Sequence, residues 1–319
     1  MCCLFGIMDY KATLTPSERQ YLLTVLSKEC EVRGKDATGI AYTNATGLHI
    51  FKKPQPAHNL RFHLTPDTLC VMGHTRMTTQ GSEKHNRNNH PFAGHIGNSR
   101  FALAHNGMLY NDRLLRIQKE LPATDIETDS YVAVQLLEHA KELTMDSLSR
   151  MAEQVEGSFT FTVMDEAGTL SFIRGSNPMC IYHWPRGLYV YASTEEILQK
   201  ALHQYYRNLG KPEKVTLESG DILQINSNGQ RTYSRFQLHE SWYPYSLDLW
   251  DYSYFTRKTA ASKKRSTAEQ AYIDDLKAIS GAFGYTPADV ESMLSDGITP
   301  EEIEECFYTM EENYLMKEV

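Results

Sequence analysis

The sequence predicts an α+β layered domain over residues 1–238, with a short helical extension after it. Three observations carry this. Strand-like segments come in blocks separated by turn residues, not in regular βαβ alternation. Helical segments are grouped in the same way, at about 111–154 and 194–206. The composition then changes after about residue 238, where aromatic, basic and acidic stretches follow one another.

Residues 2–8, CCLFGIM, predict a short buried strand. Thr15-Pro16-Ser17-Glu18 has the form of a capping box with Pro at the first helical position. The apolar residues Tyr21, Leu22, Val25, Leu26 and Cys30 continue it at helical spacing. Residues 38–43 and 48–53 predict two strands joined in a hairpin at Asn44-Ala45-Thr46-Gly47, and 69–75 a further strand. Residues 80–99 are polar, rich in Gly, Asn and His, and predict a long functional loop or a disordered stretch. Phe101–His105 predicts a strand that runs directly into Asn106-Gly107. Helices are expected at about 111–119, 128–141 and 144–154. A run of antiparallel strands is expected at 158–165, 169–174, 179–184 and 188–193, with turns at Glu166-Ala167-Gly168 and Pro185-Arg186-Gly187. A helix at about 194–206 and strands at 214–217, 221–226 and 231–236 close the region.

Beyond it, residues 239–265 read as an aromatic-rich segment from Trp242 to Phe255 followed by a basic linker from Arg257 to Arg265. Residues 266–319 read as a short, acidic helical extension, with helix starts at Thr286-Pro287-Ala288-Asp289 and Thr299-Pro300-Glu301-Glu302. Its helices are too short to hold much core alone, so the extension is expected to dock on this chain, a second copy or a partner. The aromatic segment fits either a partner interface or a closing layer on the main domain.

Bulk properties narrow the function classes. The hydrophobic fraction of 41% and the charged fraction of 23% allow a sizeable core. A formal net charge of -8 argues against a general nucleic-acid binder. No apolar run is long enough to span a membrane and no secretory signal opens the chain, so a cytoplasmic location is expected. The cysteines, Cys2, Cys3, Cys30, Cys70, Cys180 and Cys306, form no C-x-x-C pair, which speaks against a thiolate zinc site.

Several residue types carry chemistry. If Met1 is removed, Cys2 begins the chain with both a thiol and a free α-amine. Model values near ~8.5 and ~8 let the amine take the thiol proton, so one residue supplies nucleophile and base. An inert terminal residue or a lipidated cysteine pair fits Cys2 and Cys3 equally well in isolation. Arg76, in Gly73-His74-Thr75-Arg76-Met77-Thr78-Thr79, sits at a strand end and can grip a carboxylate with two parallel hydrogen bonds, or serve in a structural ion pair. In Asn106-Gly107 a side-chain amide and a backbone N–H can cradle an oxyanion, yet Asn-Gly is also a turn dipeptide. Asp129, in Glu127-Thr128-Asp129-Ser130, can hold an ammonium group or cap a helix. Together these residues suit free glutamine, which carries a carboxylate, an ammonium and a side-chain amide.

In this combination the sequence resembles the class II, N-terminal-nucleophile glutamine amidotransferases. The matching motifs are Met1-Cys2-Cys3-Leu4-Phe5-Gly6, Gly73-His74-Thr75-Arg76, Asn88-Asn89-His90-Pro91-Phe92, His105-Asn106-Gly107 and Thr128-Asp129, within residues 2–236. Weaker echoes are Glu156-Gly157-Ser158-Phe159 and Tyr191-Ala192-Ser193-Thr194-Glu195. The resemblance implies an αββα sandwich over residues 1–238. It implies that Cys2 attacks the glutamine amide and that Asn106 and Gly107 stabilise the oxyanion. Arg76, with Thr78 and Thr79, would bind the α-carboxylate, and Asp129 the α-ammonium. The loop from Gln80 to Pro91 would close over the substrate. No cofactor and no metal are implied, although His85, His90 and His95 crowd one stretch. Two positions depart from the family: Cys3 stands where Gly is common, which puts a side chain near the site, and Met77 where Trp is common. Residues 239–319 show no phosphate- or sugar-binding signature, so the ammonia acceptor is expected in a separate synthase subunit, with a homo-oligomer as a further association. A catalytically silent glutamine-binding module of the same fold is the alternative.

Overall fold

The computed structural model describes residues 2–205, 209–238, 267–283 and 285–295, together with residues 300, 303, 304 and 307. The chain forms two compact units, Met1–Ser241 and Trp242–Val319.

The first unit is built on two antiparallel sheets. The first holds β1 (Cys3–Met8), β2 (Ala37–Asn44), β3 (Gly47–Lys53), β4 (Cys70–Arg76), β9 (Cys180–Trp184), β10 (Leu188–Ala192) and β11 (Glu213–Val215), in the order β11-β9-β10-β1-β4-β2-β3. The second holds β5 (Phe92–Ile96), β6 (Ser99–Leu109), β7 (Gly157–Asp165), β8 (Leu170–Arg174), β12 (Asp221–Ile225) and β13 (Arg231–Arg235), in the order β13-β12-β8-β7-β6-β5. The helices are α1 (Pro16–Glu29), α2 (Asp112–Gln118), α3 (Tyr131–Ala140), α4 (Met145–Gln154) and α5 (Glu195–Gln204).

Side-chain alternation along the strands separates three apolar layers. Phe5 and Ile7 of β1 and Val190 of β10 face α1 and α5, where they meet Leu22, Leu26, Ile197 and Leu198. Leu4 and Met8, on the other face of β1, meet Ala102 and Ala104 of β6, Met164 of β7 and Phe172 of β8 between the sheets. Leu103 of β6 and Phe161 of β7 face Val132, Leu136, Leu148 and Met151 of α3 and α4. Helix, sheet, sheet, helix is the resulting order, the αββα sandwich.

Local signals act as expected at the start of α1. Thr15 Oγ1 accepts from the Glu18 N–H at 3.3 Å and Glu18 returns a carboxylate oxygen to the Thr15 N–H at 2.7 Å, with Pro16 opening the helix. The hairpin of β2 and β3 turns at Ala45-Thr46.

Three expectations are corrected. The polar stretch 80–99 is not wholly loop: Phe92–Ile96 forms the edge strand β5, paired with β6 from Phe92↔Leu103 to Ile96↔Ser99. Its pattern was weak because only Phe92 and Gly94 of the five residues are buried. Asn106-Gly107 is not at a strand end and does not turn. β6 continues through it, pairing Gly107 with Phe159, Met108 with Ser158 and Leu109 with Gly157. A partner strand of matching length overrides the turn preference of the dipeptide. The helix expected from 128 starts at Tyr131, which leaves Thr128–Ser130 as a turn ahead of it.

The second unit contains α6 (Thr267–Ile279), a 3-10 turn at Ser280–Phe283 and α7 (Pro287–Ser295). Leu276, Val290, Ile303 and Phe307 are its buried core, with Tyr272 and Tyr285 against it. Thr286 and Asp289 bond reciprocally at the start of α7, as the sequence predicted. The aromatic segment from Trp242, the basic run to Arg265 and the helix start around Thr299 lie outside the described residues. Among the described residues no helix is long and apolar enough to cross a membrane.

Candidate active site

Strand register places the first group. Cys3 of β1 lies opposite Thr75 of β4, so the preceding residue, Cys2, comes to the end of β4 at Arg76 and Met77. The Cys2 thiol donates to the Met77 carbonyl across 3.6 Å, and the Cys2 carbonyl accepts from Arg33 Nε at 2.9 Å. Burial pushes the thiol pKa up, and the Arg76 charge pulls it down while the Asp129 charge raises it further. Gly34 lets this corner close: a Cβ there would stand 2.4 Å from the Arg76 carbonyl carbon.

Asn106 lies on β6 in the facing sheet and is fully buried. Its backbone carbonyl accepts from Asn177 Nδ2 at 2.8 Å, and Asn177 is itself held by Thr160 Oγ1 at 2.7 Å. Among the described residues, neither Nδ2 nor Oδ1 of Asn106 has a partner. A fully buried amide without partners is uncommon and calls for a reason. Gly107 has φ of 142°, and a Cβ on it would fall 1.9 Å from the Ser158 carbonyl oxygen. No other residue fits that position of the β6–β7 ladder.

Arg76 is buried, and its guanidinium is wrapped by the loop after β4. Nη1 donates to Asn89 Oδ1 at 2.8 Å, and Nη2 donates to the carbonyls of Gln80 and Gly81 at 2.5 and 2.7 Å. An arginine has five N–H donors, so these bonds leave Nε and one Nη1 proton for a ligand. Thr78 gives its N–H to Asp36 at 2.7 Å and its hydroxyl reaches Glu83 at 3.5 Å, while Thr79 is exposed. The loop is latched from the other side, where Glu127 accepts from Asn88 Nδ2 at 2.7 Å.

Asp129 does not cap α3. Its Oδ2 accepts from the Leu109 N–H at 2.6 Å and its Oδ1 from the Ser130 hydroxyl at 3.2 Å. The carboxyl is buried, and burial raises its pKa against these hydrogen bonds and the Arg76 charge. Its backbone N–H donates to Gln80 Oε1 at 3.1 Å. Gln80 thus ties the arginine loop to the carboxylate turn. The site therefore offers a thiol, a cation and an anion within one another's electrostatic reach, with a buried amide on the adjoining strand.

Three histidines lie behind these groups. Burial holds His74 and His105 down to about 3 and pushes His90 well below its usual range, so all three are neutral near pH 7. His74 and His90 have ring centroids 4.2 Å apart. His85 and His95 are exposed and stand near Glu127 and Glu138. Among the described residues no group of three or more His, Cys, Asp or Glu side chains is arranged to hold a metal ion. Cys3 does not line the site as expected: its side chain is fully buried in the core layer under α1, with Leu26 and Cys30. Arg33, Asp36, Gln80 and Asn177 were not singled out from the sequence. Each reaches a backbone group remote in sequence through its side chain, which leaves no periodic pattern.

Comparison with known proteins fits this geometry. Residues 74–200 match a family profile described as a glutamine amidotransferase domain. The glutamine–fructose-6-phosphate aminotransferase of Geobacillus kaustophilus is 28% identical over 235 residues, covering 71% of this chain and 38% of that protein. The enzyme of the same name from Halalkalibacterium halodurans is 31% identical over 178 residues, covering 54% of this chain and 29% of that one. The chain thus spans 38% of the length of the first of these relatives and 29% of the second. The glutamine phosphoribosylpyrophosphate amidotransferase structure from B. subtilis superposes with a TM-score of 0.58 at 23% identity, covering 74% of this chain and 50% of that one, which supports the fold. Residues 74–200 thus carry a glutamine amidotransferase domain, and the chain is similar to the glutaminase portions of class II, N-terminal-nucleophile enzymes.

Proposed function

We propose that residues 1–238 hydrolyse glutamine at Cys2, in the cytoplasm, and hand the ammonia to an acceptor site on a partner synthase. The observation that carries this reading is the buried, unpartnered Asn106 amide beside Gly107, on the strand that also holds Asp129 through the Leu109 N–H. A polar group kept dry and unpaired has a use once an oxyanion forms next to it.

With Met1 removed, the Cys2 thiol attacks the side-chain carbonyl carbon and passes its proton to its own α-amine. The elevated thiol pKa makes that base necessary, because the resting sulfur is protonated. Asn106 Nδ2 and the Gly107 N–H hold the oxyanion. The α-ammonium returns a proton to the departing nitrogen, ammonia leaves, and a thioester remains on Cys2. Water then cleaves the thioester to glutamate and free thiol. Arg76, with Thr78 and Thr79, holds the substrate carboxylate, and Asp129 its ammonium. The relatives' names specify fructose 6-phosphate as the acceptor in those proteins; here the acceptor is a small molecule bound by the partner.

Glutamate release by the purified chain tests this. The wild type and Cys3→Ala are expected to be active and Cys2→Ala inactive with its fold intact. Glutamine binding without turnover by a chain that lacks Met1 would favour a silent sensor. An active Cys2→Ala would displace the nucleophile.

A further inference from the structure

Ser130 and His105 stand between Asp129 and the oxyanion strand. The Ser130 hydroxyl donates to Asp129 Oδ1 at 3.2 Å and lies 2.8 Å from His105 Nδ1. His105 Nε2 lies 3.4 Å from the Ser158 carbonyl oxygen. That carbonyl is the atom against which Gly107 is packed, and His105 directly precedes Asn106. The backbone carbonyl of His105 is fixed by His74 Nε2 at 2.9 Å.

Counting hydrogens shows that this chain has two arrangements. His105 is neutral, so its ring carries one proton. Ser130 carries one more. Three contacts compete for these two: Asp129 with Ser130, Ser130 with His105, and His105 with Ser158. A carboxylate and a backbone carbonyl accept only. When Ser130 donates to Asp129, His105 must donate from Nδ1 to Ser130, and a lone pair on Nε2 faces the Ser158 carbonyl. The long 3.4 Å separation there suits this first arrangement. When Ser130 instead donates to Nδ1, the ring proton sits on Nε2 and bonds the Ser158 carbonyl.

We infer that Ser130 and His105 are positioning residues that couple occupancy of the Asp129 subsite to the β6–β7 ladder at Asn106-Gly107. This rests on the assignment of Asp129 to the substrate ammonium. An ammonium donating to Asp129 replaces the Ser130 proton there. The hydroxyl then turns to His105 Nδ1, and the imidazole N–H moves to Nε2 and tightens the strand pairing next to the oxyanion donors. Both arrangements contain the same number of hydrogens, and no net proton is taken up or lost.

The readout is ¹⁵N NMR of the full chain labelled at histidine, with glutamate as a ligand that carries the same ammonium and carboxylate and is not consumed. The His105 signals are expected to show the Nδ1–H tautomer without ligand and the Nε2–H tautomer with saturating glutamate. Ser130→Ala is expected to show Nε2–H in both conditions and to raise KM for glutamine roughly 10-fold with a smaller change in kcat, the scale of one hydrogen bond to a charged group. Ser130→Thr is expected to restore both. One tautomer throughout in the wild type, with glutamate bound, overturns the coupling and leaves the glutaminase proposal standing. No shift of any resonance at high glutamate overturns the substrate assignment and the coupling with it.

Discussion

Replacing Asn106 with alanine should lower activity without lowering stability. The Asn106 side chain is fully buried and makes no hydrogen bond. A buried polar group without a partner costs about 1–3 kcal/mol. Removing the amide leaves a void of roughly 40 Å³, which at about 24 cal/mol per Å³ costs ~1 kcal/mol. The Asn177 contact is made to the backbone carbonyl and survives the change. The net effect on folding lies between zero and about 2 kcal/mol of stabilisation, and in a domain of this size 1 kcal/mol moves Tm by about 2–4 °C. Loss of one oxyanion donor lowers kcat by about 10²–10³, or ~2.7–4 kcal/mol of barrier. Glutamate release at saturating glutamine and a thermal melt on the same preparation measure both. The expected pair is a large loss of turnover with Tm unchanged or slightly raised. A Tm several degrees lower with turnover within about tenfold of wild type would refute the oxyanion reasoning.

Other perturbations probe the rest of the site. Gly107→Ala places a Cβ 1.9 Å from the Ser158 carbonyl oxygen at a φ of 142°, so activity and Tm should fall together, by about 2–6 kcal/mol of strain and overpacking; a wild-type melt would contradict this. Asp129→Asn should raise KM for glutamine about 10–100-fold, and an unchanged KM would remove Asp129 from the substrate site. Stability should also fall with acid. The folded-state pKa of His74 and His105 is depressed to about 3, and that of His90 is also well below its usual range, so their neutral burial carries no penalty above the usual histidine pKa and a growing one as pH drops below it. Each contributes a slope of about 1.4 kcal/mol per pH unit below ~6, roughly 4 together. Asp129, whose pKa burial raises, opposes this with one slope of its own near the carboxylate range. Denaturant midpoints that stay flat from about pH 7 to 5 would contradict the burial of neutral histidines.

Much of this was readable where chemistry and local geometry coincide. The capping box at Thr15–Glu18, the hairpin at Ala45-Thr46 and Arg76 at the end of β4 follow from side-chain preferences that act over a few residues. Asn106-Gly107 did not resolve itself in the same way. The dipeptide favours a turn, and only the pairing of Asn106 with Thr160 and of Gly107 with Phe159, continued by Ser158 and Gly157 beyond, keeps it extended. Asp129 likewise sits in a pattern that suits a helix cap, and its contact with the Leu109 N–H joins residues of two elements. Arg33 on the Cys2 carbonyl and Asn177 on the Asn106 carbonyl are nonlocal contacts to backbone atoms. Nothing in the spacing of the chain announces such partners. The edge strand β5 escaped because a five-residue segment with Gly94 at its centre carries too little alternation to register.

On the proposed mechanism Cys2, as the first residue of the mature chain, forms a thioester with the γ-glutamyl group. Acid-quenched intact mass, followed by peptide mapping, measures this directly on wild-type protein mixed with glutamine. The expected result is a chain without Met1 that carries a γ-glutamyl group on Cys2, absent from Cys2→Ala and lost as glutamate accumulates. A γ-glutamyl group on Cys3 or another cysteine, or steady glutamate release by a chain that retains Met1, would contradict it.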